Sequence, residues 1–316
     1  MNLLVTGGAG YIGSVVTAQL LAEGHEVVVL DDLSTGHADA VPEGARLVRG
    51  SLREAAEAVL AEGGFDAVLH FAAKSLVGES VARPALYWDA NLGESLALFE
   101  AMRRTGVAKI VFSSTAAAYG DPERTPIPED APPRPTSPYG ATKLAIDGVL
   151  TAYARLHGLG AVSLRYFNVA GAHGRFGERH AVETHLIPNV LAAALGRHEA
   201  VRIFGADYPT PDGTCVRDYV HVVDLGRAHL LALDACAPGA HVVYNLGSGG
   251  GHSVGEVIDV CREVTGLPIP AVIEERRPGD PAILVASSAA IARDLGWKAE
   301  RGLNEMVADA WGFARR

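Results

Sequence analysis

The stretch Gly7-Gly8-Ala9-Gly10-Tyr11-Ile12-Gly13 is the part of the chain that decides its fold class. It follows a short apolar run and leads into a helical pattern. A buried strand that turns through glycines into a helix is typical of dinucleotide-binding proteins, because the glycines allow a tight turn and the close approach of a pyrophosphate. The stretch therefore predicts cofactor contacts at Gly7, Gly10, Tyr11, Ile12 and Gly13.

Short apolar runs alternate with helical patterns throughout the first half of the chain. The predicted strands are Leu3–Thr6, Glu26–Leu30, Ala45–Val48, Ala67–Phe71, Lys109–Ser113 and Ala161–Tyr166. The predicted helices are Ile12–Glu23, Glu54–Glu62, Ala85–Thr105 and Tyr139–Leu156. Strand alternating with helix predicts an α/β protein with a Rossmann-like doubly wound parallel sheet.

The composition changes after Asn168, where Gly, Pro, His and Asp become frequent. The strands predicted beyond this point are Val216–Val222, Val242–Asn245 and Ala271–Ile273. The helices predicted there are Leu186–Leu195, Asp224–Ala235, Ser253–Thr265, Ala289–Leu295 and Leu303–Phe313, and Ser253 with Glu256 has the spacing of a capping box. We expect a dinucleotide-binding domain over 1–168, to which segments near 217–250 return, and a smaller, discontinuous C-terminal substrate lobe over 169–316.

The charge balance and the apolar runs exclude two classes of partner. The 316 residues include 27 basic and 37 acidic side chains, a net charge of −10, and the basic residues do not cluster, so a nucleic-acid partner is not expected. No apolar run reaches the ~20 residues that span a bilayer, and the N-terminus lacks the pattern of a signal peptide. We therefore expect a cytoplasmic protein with no membrane partner.

Cysteine and histidine spacing gives no indication of a metal site. The three cysteines are an odd number without metal-like spacing and predict free, buried or half-buried thiols: Cys215, Cys236 and Cys261. The histidines of the second half are interpreted as structural or solvent-facing, among them His173, His180 and His185. The sequence therefore predicts no bound metal.

An acidic residue follows the glycine loop at the distance that selects the cofactor. Asp31 ends the second predicted strand, 18 residues after Gly13, and Asp32 adds a second negative charge. A carboxylate at this point accepts hydrogen bonds from the adenosine ribose and repels a 2′-phosphate, which predicts NAD rather than NADP. The end of the fourth strand would let the backbone pass beneath the cofactor at Phe71, Ala72 and Ala73.

Tyr139 and Lys143 have a spacing that suits acid–base chemistry. Residues four apart on a helix share a face, and both lie in the run Ser137-Pro138-Tyr139-Gly140-Ala141-Thr142-Lys143. A nearby positive charge favours the phenolate, so we expect Lys143 to lower the Tyr139 pKa from its free value of roughly 10. Beside a nicotinamide, such a tyrosine supplies the base that hydride chemistry on a carbinol requires.

Motifs spread over nearly the whole chain carry a resemblance to a known family. Those of the first half are the glycine loop, Leu30–Ser34, Val77–Ser80, Phe112–Thr115 and Tyr139–Lys143. Those of the second half are Leu164–Asn168, Glu183–Pro188, Asp207–Thr210, Asp212–Tyr219, Tyr244–Gly247 and Arg276–Asp280. Together they resemble the extended short-chain dehydrogenase/reductase family and, within it, the UDP-glucose (UDP-galactose) 4-epimerases.

The resemblance implies a role for each matching residue. Tyr139 is implied as the base, Lys143 as its electrostatic partner and a ribose ligand, and Thr115 as the hydroxyl that bonds the sugar 4-oxygen. The further cofactor contacts implied are Ser34, Ser51, Leu52, Ser113 and Phe167. The further substrate contacts implied are Asn168, His185, Leu186, Arg217, Arg277, Asp280 and Leu284, the arginines because a guanidinium binds phosphate oxygens bidentately.

Three positions depart from the family pattern. Ser51 stands where many members carry an aspartate that contacts the adenine amino group, and Ala90 replaces an asparagine. Leu284 lies where the family has a residue that gates the sugar pocket, which leaves the acceptance of N-acetylated sugars undecided.

The resemblance implies reversible epimerisation at C4 of a UDP-hexose (UDP-glucose/UDP-galactose), through a transient 4-keto sugar and with tightly bound NAD. A 4,6-dehydratase is disfavoured because Ala116-Ala117-Ala118 follows Thr115, where that chemistry needs carboxylates. Two alternatives stay open: a 4-epimerase of another nucleotide sugar (UDP-GlcNAc, UDP-glucuronate, UDP-xylose or a dTDP- or CDP-hexose), and a non-catalytic NAD-sensing binding protein. The family also implies a homodimer through Ala85–Thr105 and Tyr139–Leu156, with Leu98 and Leu150 as exposed apolar positions.

Overall fold

The elements of the chain follow the predicted alternation of strands and helices. In this computed structural model, which describes residues 1–277 and 280–316, the strands are β1 (Asn2–Thr6), β2 (Glu26–Asp31), β3 (Arg46–Arg49), β4 (Ala67–His70), β5 (Lys109–Thr115), β6 (Gly160–Tyr166), β7 (Asn168–Ala170), β8 (Val201–Phe204), β9 (Val216–Arg217), β10 (Tyr219–His221), β11 (His241–Leu246), β12 (His252–Ser253), β13 (Ala271–Glu274) and β14 (Ile283–Leu284). The α-helices are α1 (Tyr11–Ala22), α2 (Leu52–Ala61), α3 (Val77–Ala82), α4 (Pro84–Tyr87), α5 (Glu94–Thr105), α6 (Pro138–His157), α7 (Leu186–Ala194), α8 (Val222–Ala235), α9 (Val254–Thr265), α10 (Ala289–Leu295) and α11 (Leu303–Ala314).

The chain divides into two compact units, each made of three segments. The first unit consists of Met1–Gly120, Pro132–Arg165 and Gly226–Tyr244. The second consists of Asp121–Ala131, Tyr166–Leu225 and Asn245–Arg316. The assignment of cofactor binding to 1–168 and of substrate binding to 169–316 stays a prediction.

The first unit is built on a seven-stranded sheet whose strand order is β3-β2-β1-β4-β5-β6-β11. The registered pairs β1–β2, β1–β4, β2–β3 and β4–β5 are parallel. The central strands are apolar on both faces because helices cover the sheet on each side. This is the doubly wound fold that the sequence predicts, and its order reverses between β1 and β4, where ligands bind such sheets beyond the carboxyl ends of the strands.

The helix predicted as continuous over Ala85–Thr105 is interrupted. It consists of α4, a π-helical stretch over Trp88–Gly93, and α5. Within the π-helical stretch, the buried side chain of Asn91 accepts a hydrogen bond from Lys74 N at 2.8 Å and donates to Lys74 O at 3.1 Å. The wider turn accommodates a contact with a distant segment, which the helical period of the sequence does not reveal.

Leu98 and Leu150, predicted as exposed dimer positions, are fully buried, so that prediction is wrong. Both belong to the hydrophobic core of the first unit, because the faces of α5 and α6 that carry them pack inward. The apolar side chains that these two helices and the π-helical stretch expose are Trp88, Leu96 and Leu156.

The strand predicted over Val216–Val222 is also interrupted. Asp218 separates β9 from β10, and its side chain is fully buried. Its carboxylate accepts hydrogen bonds from Ser248 N at 2.7 Å, Gly249 N at 3.0 Å and Ala286 N at 3.0 Å. The residue thus binds two loops of the second unit, and a regular strand would not present it to them.

The core of the second unit lies among α7, α9 and α11. Ile187, Val190, Val257, Ile258 and Met306 are buried there. The capping box of α9 is confirmed, since the Ser253 hydroxyl accepts from Glu256 N at 3.0 Å and Glu256 accepts from Ser253 N at 2.8 Å. All three cysteines are free and buried, as predicted. None of the helices in 1–277 and 280–316 is both long and apolar enough to cross a bilayer.

Candidate active site

The glycine loop of the first unit presents backbone rather than side chains. Gly7 has φ +73°, and a Cβ there would lie 2.5 Å from Ala72 N. A Cβ at Gly13 would lie 2.2 Å from Gly7 O. Only glycine fits at these two positions. Helix α1 begins after Gly10, which has no side chain to cover the N-terminal turn.

The loop therefore forms the surface that a diphosphate requires. A Cβ at Gly10 would meet Gly7 O at 3.3 Å and project from the start of the helix. Backbone N–H groups and the helix dipole at such a terminus attract anions. The predicted contacts Tyr11 and Ile12 are the first two residues of the helix, so the five predicted loop residues lie together.

Asp31 lies at the end of β2 and is fixed from two sides. Its carboxylate accepts hydrogen bonds from Ala9 N at 3.0 Å and from Leu33 N at 2.9 Å. Burial raises the pKa of Asp31, and these two hydrogen bonds oppose that rise. The side chain is therefore held beside the glycine loop, and each carboxylate oxygen keeps a second lone pair for a further donor.

The other cofactor residues predicted in the first unit fall into two groups. Ser34 donates its backbone N–H to Asp32 at 2.8 Å, and Ser51 caps α2, with its hydroxyl accepting from Glu54 N at 3.3 Å. Phe71 N and Ala72 N donate to Thr6 O at 2.9 and 3.1 Å, so the segment after β4 lies against the end of β1. Leu52 is buried and Ala73 is half-buried.

Thr115 and Tyr139 meet where β5 ends and α6 begins. The Thr115 hydroxyl favours the ionised form of the Tyr139 phenol and so lowers its pKa. That hydroxyl also accepts from Ala117 N at 3.1 Å and so caps the short turn Ala116–Ala118. A Cβ at Gly140 would lie 2.4 Å from Ala117 O, so this glycine allows α6 to approach the turn. Sequence reasoning assigned Gly140 no role.

Lys143 lies one turn further along α6 and is almost fully buried, at 2% exposure. Its Nζ donates to Ser113 O at 2.8 Å and lies 4.7 Å from the centre of the Phe112 ring. Burial lowers the pKa of Lys143 to about 7, against the opposing charge of Asp147. The predicted residues Ser113 and Lys143 are thus in direct contact.

The expectation that Lys143 lowers the pKa of Tyr139 is wrong. Burial raises the pKa of Tyr139, and the Thr115 hydroxyl is the influence that opposes the rise. The same burial moves Lys143 towards its neutral amine, which weakens the charge that the expectation relied on.

A buried polar network behind α6 was not predicted. Asp147 Oδ2 accepts from Arg165 at 2.8 and 3.1 Å and from the Ser114 hydroxyl at 3.3 Å. Asp147 follows Lys143 by four residues, so the two share a helix face. That spacing was visible in the sequence, but the arginine that completes the pair comes from β6.

His70 is a second buried group that the sequence did not assign. Its ring lies 2.7 Å from the Thr6 hydroxyl and 2.8 Å from the Ser95 hydroxyl. Burial, with a contribution from the charge of Lys143, lowers the pKa of His70 to about 3, so the imidazole is neutral. It therefore acts as a hydrogen-bonded core residue between β1 and α5.

In the second unit, Arg217 and Asp280 form an ion pair with each other. Arg217 also donates to its neighbour Val216 O at 2.8 Å, and Leu284 is its registered partner on β14. The sequence assigned Arg217, Asp280 and Leu284 to a substrate site, and the structure brings these three together. Of the motif Arg276–Asp280, Pro278 and Gly279 lie outside the described residues.

Arg277 lies over an aromatic ring, with its guanidinium carbon 3.8 Å from the centre of the Phe204 ring. Arg276, for which no role was predicted, pairs with Asp207 at 2.6 Å and lies 4.1 Å from the Tyr208 ring centre. The two neighbouring arginines are thus held against the segment after β8 by stacking.

The remaining predicted contacts of the second unit occupy two places. Asn168 pairs with Tyr219 in the β7–β10 ladder. Phe167 is half-buried and donates its N–H to Leu246 O at 3.2 Å. His185 is the N-cap of α7 and Leu186 is the first residue of that helix.

His185 belongs to a cluster that contradicts the expectation of no ligand-like arrangement among the histidines. Its Nδ1 lies 2.7 Å from Glu178 Oε1 and 2.8 Å from Glu183 Oε1, and His180 lies beside the same carboxylates. Burial lowers the pKa of His185, but the two glutamates outweigh it and raise that pKa to about 10. The glutamates likewise raise the pKa of His180 to about 9.

Comparison with known proteins adds relatives over the whole chain. A family described as the NAD dependent epimerase/dehydratase family matches residues 3–247. A UDP-glucose 4-epimerase of Corynebacterium glutamicum is 57% identical over 314 residues, which are 99% of this chain and 95% of the relative. A UDP-glucose 4-epimerase of Streptomyces lividans is 55% identical over 311 residues, 98% of this chain and 94% of the relative.

A solved structure has the same fold. The UDP-glucose 4-epimerase from Bifidobacterium longum in complex with NAD+ and UDP matches with a TM-score of 0.94 and 39% identity. The match covers 100% of this chain and 98% of that chain.

Proposed function

We propose that this chain, which belongs to the NAD dependent epimerase/dehydratase family, catalyses reversible epimerisation at C4 of a UDP-hexose, with UDP-glucose and UDP-galactose as the pair interconverted. The resemblance seen in its motifs is confirmed by relatives named UDP-glucose 4-epimerase at 57% and 55% identity. The matches cover 95% and 94% of those two relatives, so the comparison extends over nearly their full length.

The observation that carries the proposal is that Thr115 lowers the pKa of the Tyr139 phenol and that the buried Lys143 lies one helical turn away. A phenol and a hydroxyl that interact in this way can pass a proton to and from a sugar hydroxyl. Ala116, Ala117 and Ala118 follow Thr115 and offer no carboxylate. The site therefore suits removal and return of the proton of one hydroxyl group, without elimination.

The glycine loop and Asp31 fit NAD, and we assign the dinucleotide to them. Gly7, Gly10, Tyr11, Ile12 and Gly13 would line the diphosphate, and Asp31 would accept from the adenosine ribose. When bound there, NAD would supply reversible hydride transfer at the sugar C4, so the overall reaction would have no net redox change. The other residues assigned to this cofactor are Asp32, Ser34, Ser51, Leu52, Phe71, Ala72, Ala73, Ser113, Lys143 and Phe167.

Tyr139 accepts the proton of the 4-hydroxyl and later returns it to the 4-oxygen, with Thr115 bridging the two. Tyr139 must lose its own proton before it can act as this base, and burial, which raises the pKa of Tyr139, opposes that ionisation. Thr115 assists the ionisation, since its hydroxyl lowers that pKa. Lys143, fixed on Ser113 O, supports the ribose side of the cofactor.

Residues of the second unit are assigned to the UDP-sugar. Arg217 and Arg277 would bind the diphosphate and Asp280 the uridine ribose, with Asn168, His185, Leu186 and Leu284 as the further contacts. The pairing of Arg217 with Asp280 fixes the guanidinium before a phosphate arrives. Preorganisation of this kind lowers the cost of ordering a long side chain on binding.

Two further expectations stay predictions: the location in the cytoplasm and the homodimer. The dimer can no longer rest on Leu98 and Leu150, which are buried. The exposed apolar residues Trp88, Leu96 and Leu156 are the surface positions to test for it.

The proposal is tested by incubating the purified protein, with no added cofactor, with UDP-galactose, UDP-N-acetylgalactosamine and UDP-glucuronate in separate reactions. Chromatography of the products should show UDP-glucose formed from UDP-galactose until equilibrium is reached. Inert UDP-galactose beside a converted rival would move the assignment to another nucleotide sugar. Inertness of all three substrates towards protein that retains NAD would favour the NAD-sensing alternative.

A further inference from the structure

A loop of the second unit gathers two imidazoles and two carboxylates within eight residues of sequence. They are Glu178, His180, Glu183 and His185, and one nitrogen or oxygen of each lies within 4.8 Å of all the others. The closest approaches are from His185 Nδ1 to the two glutamates, at 2.7 and 2.8 Å. His180 Nδ1 lies 3.1 Å from Glu178 and 3.5 Å from Glu183.

One of these contacts lacks the geometry of a hydrogen bond. His180 Nδ1 is a buried atom that has no hydrogen-bond partner among the described residues, although Glu178 Oε1 is only 3.1 Å away. Within the described residues no hydrogen bond therefore occupies this nitrogen, which leaves it available to a bound ion. Glu178 is the most buried of the four, with its side chain 10% exposed.

Backbone groups hold the cluster in place. Glu183 Oε1 accepts hydrogen bonds from Thr184 N and His185 N, both at 2.7 Å. The amide of Asn189 donates to His185 O at 2.9 Å, which fixes the backbone of that histidine at the start of α7. Outer contacts of this kind orient the ligands in metal centres.

We propose that Glu178, His180, Glu183 and His185 bind one divalent transition-metal ion, and that Zn²⁺ is the ion that suits them best. Tetrahedral Zn²⁺ with bonds of about 2.0–2.2 Å places its ligand atoms roughly 3.3–3.6 Å apart. The His180 contacts, at 3.1 and 3.5 Å, lie near that range, whereas the His185 contacts, at 2.7 and 2.8 Å, are shorter and would have to lengthen when an ion enters. Two carboxylates balance the charge of a divalent ion. The imidazole nitrogens disfavour Ca²⁺ and Mg²⁺, which prefer oxygen ligands in larger number.

Four protein ligands make a closed site, which is typical of a structural metal rather than a catalytic one. His185 directly precedes α7, whose residues Ile187, Val190 and Leu191 lie in the core of the second unit. The ion would therefore fasten the loop 178–185 to the first turn of α7. The proposal does not depend on the epimerase activity, since its readouts are metal content and melting temperature.

The first experiment uses the wild-type chain without an affinity tag, because a histidine tag binds the same ions. After chelator treatment and dialysis, the protein is titrated with Zn²⁺ and, separately, with Co²⁺ as a spectroscopic probe. We expect one equivalent of each, visible d–d bands of four-coordinate Co²⁺ without thiolate charge transfer, and a melting temperature several degrees higher with Zn²⁺. The proposal would be overturned if neither ion binds. It would also be overturned if the Co²⁺ spectrum shows thiolate charge-transfer bands, because these would identify a cysteine as the ligand.

The second experiment compares variants. His180→Ala and Glu178→Gln should each weaken Zn²⁺ affinity by at least ~10-fold, since even outer-shell changes at metal sites have effects of that size. His198→Ala, which removes an exposed histidine of the same unit, should bind like the wild type. Equal affinity in His180→Ala and His198→Ala would show that the cluster is an ion-pair network only. If a variant fails to fold, the Co²⁺ spectrum of the wild type still decides.

Discussion

Lys143 in the first unit and His185 in the second are both basic groups that lie among polar neighbours, yet their pKa values move in opposite directions. Burial lowers the pKa of Lys143 to about 7, and the single carboxylate of Asp147 does not reverse it. At His185 two carboxylates outweigh burial and raise the pKa to about 10. The number of opposite charges in contact therefore decides which effect dominates.

The difference separates a proton-transfer site from a charge cluster. In the first unit, burial favours the neutral forms of His70, Lys143 and Tyr139. In the second unit, the carboxylates of the loop 178–185 favour the charged imidazolium forms of His180 and His185, which a bound metal ion would replace by neutral ligands. Perturbed pKa values alone do not identify an active site, because both regions have them.

The largest expected effect comes from removing the phenol of the first unit. Tyr139→Phe should lower kcat by about 10²–10⁴-fold, the usual contribution of a positioned acid–base group. Tyr153→Phe is the matched control, since Tyr153 lies on the same helix and donates to Glu100 instead. Steady-state turnover of UDP-galactose measures both. A Tyr139→Phe protein as active as the control would remove the proton-transfer role from this region.

The next effect concerns one charge pair in each unit. Asp147→Asn leaves Arg165 buried and unpaired and should lower the free energy of unfolding by about 3–5 kcal/mol. Asp280→Asn removes the partner of Arg217 at a more exposed place and should cost less than about 1 kcal/mol. Urea denaturation of both variants measures the difference. Equal losses of stability would contradict the expectation that the buried ion pair of the first unit contributes more than the more exposed pair of the second.

A smaller effect is expected from two glycines on α6. Gly140→Ala places a methyl group 2.4 Å from Ala117 O and should cost about 1–3 kcal/mol of stability as the helix is displaced. Gly148→Ala meets nothing within 4 Å and should stabilise the helix by up to about 1 kcal/mol. Thermal unfolding with turnover assays compares them. The contact between Tyr139 and Thr115 would not depend on Gly140 if Gly140→Ala kept full kcat and stability.

A further effect, small for each pH unit, is the pH dependence of stability that Lys143 produces. Its pKa is lowered to about 7 in the folded chain, from 10.5 when unperturbed. Between these values the unfolded state binds more protons, so stability should rise with pH, by up to about 1.4 kcal/mol per pH unit. Urea denaturation at pH 7, 8 and 9 should show a steeper rise for the wild type than for Lys143→Met. Parallel pH profiles would mean that Lys143 stays charged when buried.

The features that the sequence predicted correctly are those set by neighbours along the chain. The glycine loop works through steric limits of the loop itself, and the spacing of Tyr139 and Lys143 fixes a shared helix face. The alternation of strands and helices likewise gave the doubly wound sheet. Strands of two to four residues such as β7, β8, β12 and β14 carry too little periodicity to be recognised.

The features that were missed depend on contacts between distant segments. Asp218 breaks a strand because its partners lie at 248, 249 and 286. Asn91 widens a helix to reach Lys74. Leu98 was assigned to the surface, since the sequence shows that a helix has an apolar face but not what covers it. The pKa of Tyr139 was misjudged because burial, which no spacing reveals, raises it more than the Thr115 hydroxyl lowers it.

The most direct test of the proposed chemistry follows one hydrogen atom. UDP-glucose carrying deuterium at C4 is incubated with the protein in ordinary water, and the UDP-galactose formed is analysed by mass spectrometry and NMR. Oxidation and reduction at C4 within one closed site should leave the deuterium at C4 of the product. Loss of the label to solvent, or its appearance at another carbon, would contradict the mechanism.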